Sequence, residues 1–524
     1  MQSREGTPSR RSALRTLGPA PTSPPASARI RATIVATIGP ASDSPESVAR
    51  LIEAGVAIFR INFSHGSLQD HGRRLSNIRA VAEVEGRPIA VLGDLQGPKI
   101  RVGRVESPGV TVETGSLVEF DPAAEVARVE RRDAESVTVL PTGYAPMTRD
   151  VRPGQRVLVN DGLIRMLAIE GGSRLLCRVT SGGLVTSKKG INLPESVVSA
   201  PAITGEDWTN AQWAVEHGLD FLALSFVRSA DEVLELKRRL RELCPVNPDN
   251  KDEYFGGAST IPVIAKIEKP QAVAELEKIV EASDGIMVAR GDLGVEMDIA
   301  QVPVVQKRIV SVCRDWGRPC IVATQMLETM TESSSPTRAE ASDVANAIFD
   351  GADAVMLSAE TATGKHPTLV VETMARIVRA AEERIDEQPY HPGAPARLVA
   401  IQDRIVALAH GAWHVAHDTA ATLVVCWSQL GQTATALSSI GFRVPIIAYS
   451  SNERATRRMA ILRGVTPVFT PTPKTPYVAD FIDYANSDMI RRGLARPGDR
   501  AVFVAGKPVG TPGATNAVIT HTFT

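Results

Sequence analysis

Eight short runs of β-forming residues recur along the chain, and each is followed by an amphipathic helical pattern. The runs are TIVATIGP (33–40), VAIFRINF (56–63), PIAVLGDL (88–95), DFLALSF (220–226), PVIAKIE (262–268), GIMVAR (285–290), PCIVATQ (319–325) and DAVMLSAE (353–360). Several of the helical stretches begin at a capping residue and end at glycine. Eight strand-then-helix units predict a (β/α)₈ barrel of the TIM type, whose chemistry lies at the C-terminal ends of the strands.

One interval breaks this rhythm. From Gly97 to about Ala200 there is no helical periodicity, and Val-rich runs such as GVTVETGSLVEF alternate with turns. This pattern predicts a small all-β domain inserted after the third barrel strand. After the proline-rich segment 386–397 an α/β pattern resumes, which predicts a further domain.

The fold class that follows is α/β: a TIM barrel with an inserted all-β domain and a C-terminal three-layer α/β domain. The predicted boundaries are a disordered tail at 1–28, the catalytic barrel at 29–98 and 199–385, a β-barrel lid at 99–198 and a regulatory-type domain at 398–524. The tail is rich in Arg, Ser and Pro, a composition that favours disorder over a transit peptide.

Composition narrows the classes of function. The chain is 43% apolar and 22% charged, which is typical of a globular protein. Its net charge of −1 provides no overall electrostatic attraction for nucleic acid or anionic lipid. No apolar run is long enough to span a membrane. The five cysteines form no CxxC and no metal-ligand spacing, which indicates reduced thiols. We therefore expect a cytoplasmic protein without nucleic-acid or membrane partners.

Polar residues collect where the predicted strands end. They are Arg60, Asn62 and Ser64 after strand two, Asp94 after three, Ser225 after four, Lys266 and Glu268 after five, Arg290 and Asp292 after six, Thr324 and Gln325 after seven, and Ser358 and Glu360 after eight. A barrel with a purely structural role does not need so many charges at one rim. This set therefore predicts a functional site there.

The fifth predicted strand ends with a lysine and a glutamate on the same face. Its first residues are apolar on both faces, as in a buried parallel strand. Because side chains alternate along a strand, Lys266 and Glu268 point the same way. Glu268 and Asp292, with no Cys or His beside them, form an oxygen ligand set that suits Mg²⁺ or Mn²⁺.

Positive groups lie beside these two carboxylates. Lys266 is a point cation for a phosphate or a developing oxyanion, and Arg60 and Arg101 offer forked contacts to phosphate. Gly291 allows backbone N–H groups to approach a carboxylate. Together these groups predict a site for an anionic, phosphorylated small molecule.

Two other motifs are weaker. AETATGKHP approaches a P-loop, but Ala359 replaces the first glycine and His366 the Ser/Thr, so it is interpreted as the turn after strand eight. The nine histidines form no HxH or HExxH arrangement, which argues against metal binding by them. His65 is either a helix-start residue or a rim contact.

The longest motifs resemble those of the pyruvate kinase family. They are TIGPAS, RINFSHG, DLQGPKIR, SKKGINLP, IEKPQAV, SDGIMVARGDLGVE, ATQMLE, PTRAEASDVANAIFDGAD and MLSAETATGKHP. The resemblance runs in register from about residue 30 through the barrel, and more loosely into the C-terminal domain. It implies phosphoryl transfer from phosphoenolpyruvate to ADP, giving pyruvate and ATP in the final step of glycolysis. It also implies a homotetramer.

The resemblance implies a role for each rim residue. Glu268 and Asp292 would hold the catalytic Mg²⁺, and a second Mg²⁺ would arrive with ADP. Lys266 would neutralise charge on the transferring phosphoryl group and the enolate oxygen. Arg60 would bind the phosphate, and Thr324 with the Gly291 and Asp292 amides would bind the substrate carboxylate. The nucleotide would be bound by Arg101, Lys189, Asn62, Phe63, Ser64 and His65. The enolate carbon would be protonated by Thr324 through water or by the Ser358–Glu360 region.

Potassium is expected to be dispensable. In this family a lysine after "GP" accompanies independence from K⁺, and DLQGPKIRV supplies Lys99. A fixed ammonium there can replace a mobile cation electrostatically. The K⁺ ligand positions still match, at Asn62, Ser64, Asp94 and the carbonyl of Leu95.

Some features depart from the family or leave alternatives open. The stretch CWSQLGQTA (426–434), where an effector loop is expected, has no basic residue, so a sugar-bisphosphate activator is in doubt. The loop 245–260 is longer than the usual connection and has no functional account. The alternatives are a barrel lyase that uses Lys266 as a Schiff base, and a non-catalytic paralogue that binds metabolites.

Overall fold

The structure, a computed structural model, describes residues 30–132, 135–244, 260–389 and 393–524. Its centre is a closed barrel of eight parallel strands, which confirms the prediction. The strands are Thr33–Thr37, Val56–Asn62, Ala90–Asp94, Phe221–Leu224, Val263–Ile267, Gly285–Ala289, Cys320–Ala323 and Ala354–Leu357. The predicted tail 1–28 and all but the last residue of the loop 245–260 lie outside the described residues.

Helices follow the strands around the barrel. They are Pro45–Ala54, Leu68–Glu85, Gly205–Glu216, Ala230–Leu243, Pro270–Ala274, Leu276–Ala282, Arg290–Glu296, Val302–Asp315, Arg338–Asp350, Ala359–Ala362 and Pro367–Asp386, with 3₁₀ turns at Ile299–Gln301 and Glu328–Thr331. Capping boxes such as Ser67 with Asp70 and Thr337 with Glu340 satisfy the first free N–H groups. These local signals fix where the helices begin.

Each barrel strand is buried on both faces. On the fifth strand, Ile264 packs into the interior of the barrel, whereas Val263, Ala265 and Ile267 pack against the surrounding helices. Lys266 is two residues after Ile264 and therefore points inward, at the C-terminal mouth of the barrel.

The insertion after the third strand is almost entirely β structure. Its strands are Val110–Val112, Leu117–Asp121, Arg128–Arg132, Glu135–Pro141, Arg156–Val159, Ile164–Glu170, Leu175–Ser181, Gly183–Val185 and Ile191–Asn192, with a short helix at Met147–Asp150. Seven of the strands form one sheet and two form a separate ribbon. Isolated bridges of Arg101 to Gly190, of Val102 to Thr142 and of Arg104 to Val126 connect the entry segment of the domain to both edges of the larger sheet.

The C-terminal domain is a five-stranded sheet between helices. Its strands are Leu423–Trp427, Ile446–Ser450, Val465–Phe469, Arg500–Gly506 and Thr515–Thr522; its helices are Ala396–Ala400, Arg404–Asp418, Gln432–Ile440, Glu453–Arg458 and Val478–Arg491, with a 3₁₀ turn at Met459–Ile461. Val424 and Cys426 face one core and Leu423, Val425 and Trp427 another, which makes three layers. The last strand is antiparallel and was not predicted. None of the described helices is long and apolar enough to cross a membrane.

Candidate active site

Lys266 lies at the centre of a buried polar cluster in the barrel mouth. Its Nζ is 2.8 Å from Oε1 of Glu268 and 3.3 Å from Oδ1 of Asp94, and it donates to Oγ of Ser225 at 2.7 Å. Burial opposes the charged form, but the two carboxylates outweigh it and raise the pKa of the Lys266 ammonium. The side chain is therefore a fixed positive charge at any physiological pH.

Glu268 is held by one backbone donor and one cation. Its Oε2 accepts a hydrogen bond of 2.6 Å from the N–H of Phe226, a residue held in the left-handed region with φ 55°. Burial raises the pKa of the Glu268 carboxyl to about 7, although Lys266 opposes this. Oε1 is paired with the Lys266 ammonium at 2.8 Å and has no other donor among the described residues. One carboxylate oxygen is thus oriented with bonding capacity to spare.

Arg60 and Asp94 form the second half of the cluster. Nε and Nη2 of Arg60 each lie 2.7 Å from Oδ2 of Asp94, and Nη1 donates to Oγ1 of Thr37 at 3.1 Å. Burial of Asp94 is outweighed by Lys266 and Arg60, which lower the pKa of its carboxyl. Asp94 therefore neutralises and orients two cations at once.

Sequence reasoning missed this linking role of Asp94. It placed Ser225 at the rim without a role of its own, and it did not include Thr37. Ser225 accepts from Lys266 and donates to the carbonyl of Leu95 at 2.7 Å. The signal that could have found Thr37 is its position at the end of the first strand. The partners of Ser225 and Thr37 become evident only when neighbouring strands are paired.

Asp292, Gly291 and Thr324 meet where strands six and seven end. The helix Arg290–Glu296 begins directly after the sixth strand, and the N–H of Gly291 donates to Oγ1 of Thr324 at 2.7 Å. Thr324 has a φ of 66°, and Arg290 donates to its carbonyl oxygen at 3.0 Å. The Gly291 amide is therefore engaged by Thr324, which would have to release it before that amide could bind a substrate carboxylate.

The donor set fits a hard divalent cation. The charge of Asp292 contributes to the raised pKa of Glu268, which shows that the two carboxylates interact. Among the described residues no group of three or more His, Cys, Asp or Glu side chains could hold a metal ion. Two carboxylates, with water and substrate oxygens for the remaining positions, suit Mg²⁺ better than zinc.

The predicted nucleotide residues come from two places that the fold brings together. Arg101 pairs with Gly190 in an antiparallel bridge, and the N–H of Val102 donates to the carbonyl of Lys189 at 2.8 Å. We call this place the hinge: the chain enters the inserted domain at Arg101 and Val102 and leaves it after Lys189 and Gly190. Arg101 and Lys189 are thus neighbours on the hinge.

The segment Asn62–His65 lies beside this hinge. Oδ1 of Asn62 accepts from the N–H of Ser64 at 3.1 Å, and Phe63 is buried. His65 is an exposed rim residue, since the next helix begins at Leu68 with Ser67 as its cap. Burial and the charges of Arg101, Lys99 and Arg60 lower the pKa of its imidazole.

Ser358 and Glu360 follow strand eight. Glu360 is buried, and its two oxygens accept from the N–H groups of Leu327 (3.2 Å) and Ser358 (2.6 Å). Burial raises the pKa of the Glu360 carboxyl. The hydroxyl of Ser358 is buried and has no hydrogen-bond partner among the described residues.

Comparison with known proteins matches both large parts of the chain. Residues 29–371 match the family model for the pyruvate kinase barrel domain, and residues 406–521 match that for the pyruvate kinase alpha/beta domain. Proteins named pyruvate kinase from Corynebacterium glutamicum, Mycobacterium intracellulare and Geobacillus stearothermophilus are 39%, 40% and 38% identical to it. These alignments cover 90% of this chain and 93%, 94% and 76% of the respective relatives.

Proposed function

The chain belongs to the pyruvate kinase family and is a phosphotransferase, and we propose that its barrel mouth transfers the phosphoryl group of phosphoenolpyruvate to ADP. The observation that carries this proposal is the cluster around Lys266. A buried ammonium there contacts Glu268, Asp94 and Ser225, and Arg60 is held by the same Asp94. Such a set of fixed charges stabilises a phosphoryl group in transfer.

The donor side of the site uses residues of strands two, five, six and seven. Arg60 binds the phosphate of phosphoenolpyruvate, and Lys266 neutralises charge on the transferring phosphoryl group and the enolate oxygen. Thr324, with the Gly291 and Asp292 amides, seats the substrate carboxylate. The family implies a divalent metal cofactor; Glu268 and Asp292 would hold it as Mg²⁺, which when bound supplies further neutralisation of phosphate charge.

The acceptor side uses the hinge and the rim. Arg101, Lys189 and the segment Asn62–His65 bind ADP. The backbone pairing that places Arg101 beside Lys189 supports this assignment, as does the effect of the Arg101 charge on the pKa of His65. For protonation of the enolate carbon we propose Thr324 through water, or the Ser358–Glu360 region. The buried hydroxyl of Ser358, without a hydrogen-bond partner in the described structure, supports the second choice.

We further propose that the protein is a cytoplasmic homotetramer and retain the domain boundaries given above. An apolar groove between the helices Arg338–Asp350 and Pro367–Asp386 supports a subunit contact. It is lined by Ala345, Phe349 and Ile377, and Phe349 is 49% exposed. Contiguous exposed apolar surface of this kind marks sites of protein–protein contact.

The test is pyruvate formation from phosphoenolpyruvate and ADP with Mg²⁺, for the wild type, Lys266→Met and the control Lys278→Met. We expect an active wild type, an unchanged control, and a loss of at least about 1,000-fold in kcat for Lys266→Met. Lys278 is a suitable control because it is an exposed lysine paired with Glu275, away from the barrel mouth.

Two outcomes would favour other functions. Labelling of Lys266 by borohydride in the presence of pyruvate would indicate a Schiff-base lyase. A folded wild type without activity would indicate a non-catalytic metabolite-binding protein.

A further inference from the structure

Glu296 is a buried carboxylate that the roles above leave unexplained. It is the last residue of the helix Arg290–Glu296 and is 1% exposed. Its Oε1 accepts from Nζ of Lys269 and from Nδ2 of Asn192, both at 2.8 Å. A buried charge is costly unless it is paired and hydrogen-bonded. Two donors from different parts of the chain offset this cost at Oε1, whereas Oε2 is buried and has no hydrogen-bond partner among the described residues.

Each segment that meets at Oε1 of Glu296 carries part of the site. The helix of Glu296 also carries Asp292, one turn earlier on the same face. Lys269 is the residue after Glu268, and Asn192 belongs to the strand Ile191–Asn192, three residues after Lys189. Glu296 thus joins the donor side of the barrel to the return strand of the inserted domain.

The junction of Glu296 with Lys269 and Asn192 adjoins a partly open cavity. The cavity has a volume of about 250 Å³ and lies between the hinge and the barrel, with Asp292, Glu296, Lys269 and Asn192 in its wall. Nζ of Lys269 is also 5.7 Å from the ring centre of Phe226, whose N–H holds Glu268. Because the Glu296 side chain itself is buried, the hydrogen bonds that it accepts are stronger than exposed ones.

We propose that Glu296 is a positioning residue that fixes the inserted domain, and with it the ADP-binding residues of the hinge, against the phosphoryl-donor side of the barrel. This inference rests on the proposed function. Glu296 acts through Asn192 and Lys269, without contact to the reacting atoms. Loosening the hydrogen bond between Glu296 and Asn192 is expected to weaken ADP binding and slow phosphoryl transfer. The affinity for phosphoenolpyruvate should change little, because that substrate is bound by the barrel alone.

An exchange of the two side chains tests this. Asn192→Asp places two carboxylates against each other, so we expect KM for ADP to rise at least about 10-fold, with KM for phosphoenolpyruvate within about 2-fold of wild type. Glu296→Gln keeps an acceptor oxygen and should raise KM for ADP only about 2- to 3-fold. The double variant restores one carboxylate and one amide, and it should bring KM for ADP back to within about 3-fold of wild type.

Glu195→Gln is the matched control. Glu195 pairs with Arg156 inside the inserted domain, three residues beyond Asn192, and its side chain is bound within that domain. Its kinetic constants should equal those of the wild type. The same proteins are also titrated with MgADP by calorimetry, which measures the contact without turnover.

The outcomes separate the two claims. Absence of rescue in the double variant, no effect of Asn192→Asp, or equal rises in both KM values would overturn the role of Glu296. An inactive wild type whose ADP affinity still follows the exchange pattern would overturn the proposed reaction and leave the positioning role intact.

Discussion

The two ends of the barrel each contain a buried carboxylate, and the two are bound very differently. At the N-terminal end, Asp220 accepts from Nη2 of Arg79 (2.7 Å), Nε of Arg457 (2.8 Å) and the N–H of Val91 (2.8 Å). At the C-terminal end, Glu268 has one N–H donor at Oε2 and the ammonium of Lys266 at Oε1, with no further donor in the described structure.

This difference indicates that Asp220 stabilises the fold, whereas Glu268 serves the site. The donors of Asp220 include Arg457 of the C-terminal domain, so the carboxylate joins that domain to the barrel with both oxygens satisfied. Glu268 is held in place with bonding capacity left over, and burial raises its pKa to about 7. A buried charge with satisfied partners holds a structure together, whereas one with spare capacity and a perturbed pKa marks a site for a ligand.

The largest effect is expected at the C-terminal end. Glu268→Gln removes a proposed metal ligand, and kcat for pyruvate formation should fall at least about 1,000-fold. Because burial disfavours the charged form of Glu268, the midpoint of urea unfolding should not fall. An active Glu268→Gln, or one that is clearly less stable, would remove the contrast between the two ends.

Asp220→Ala should have the opposite profile. It leaves Arg79 and Arg457 without their buried partner, so the free energy of unfolding should fall by about 3 kcal/mol, while kcat of the folded protein stays within about 3-fold. Urea unfolding and activity measured on the same samples check both. In the control Glu277→Ala, which breaks the exposed pair with Arg397, stability should change by less than about 1 kcal/mol.

Asp353 tests the contrast from within the N-terminal end. Its Oδ2 accepts from the N–H of Cys320 at 2.8 Å, and burial raises the pKa of its carboxyl to about 6 from 3.8. The folded state therefore binds this proton more tightly than the unfolded state, so the contribution of Asp353 to stability is greatest below pH 4 and is lost as the pH rises through 6.

The corresponding variant is Asp353→Asn, which cannot titrate. Between pH 4 and pH 7 the wild type should lose about 2 kcal/mol of unfolding free energy relative to this variant. Urea titrations at both pH values measure the difference. Parallel pH profiles for the two proteins would contradict the prediction.

The smallest effect concerns Lys99, which lies near His65 together with Arg101 and Arg60. We expect the wild type to be equally active in sodium and potassium buffers within about 2-fold. Lys99→Glu should make activity at least about 10-fold higher in K⁺ than in Na⁺, because a carboxylate there restores the need for a mobile cation. A wild type that needs K⁺ would show that Lys99 has no such role.

Much of the fold was predictable because its signals are local. Period-two runs, capping residues and glycines located all eight barrel strands to within a few residues. The strand Thr515–Thr522 was missed because it is exposed along much of its length and is defined by pairing with Arg500–Gly506. The order of the strands in the inserted sheet also depends on which strands pair, and the sequence pattern does not state this.

For the candidate site, the sequence pattern was enough to predict which residues stand at the strand ends, since alternation along a strand places Lys266 and Glu268 on one face. The connections between these side chains are a property of the three-dimensional fold. Asp94 binds both Arg60 and Lys266 because neighbouring strands are paired. Glu296 accepts a hydrogen bond from Asn192, about 100 residues away along the chain, because the inserted domain packs against the barrel. Periodicity reports the direction of a side chain, whereas hydrogen bonds between distant segments require their positions in space.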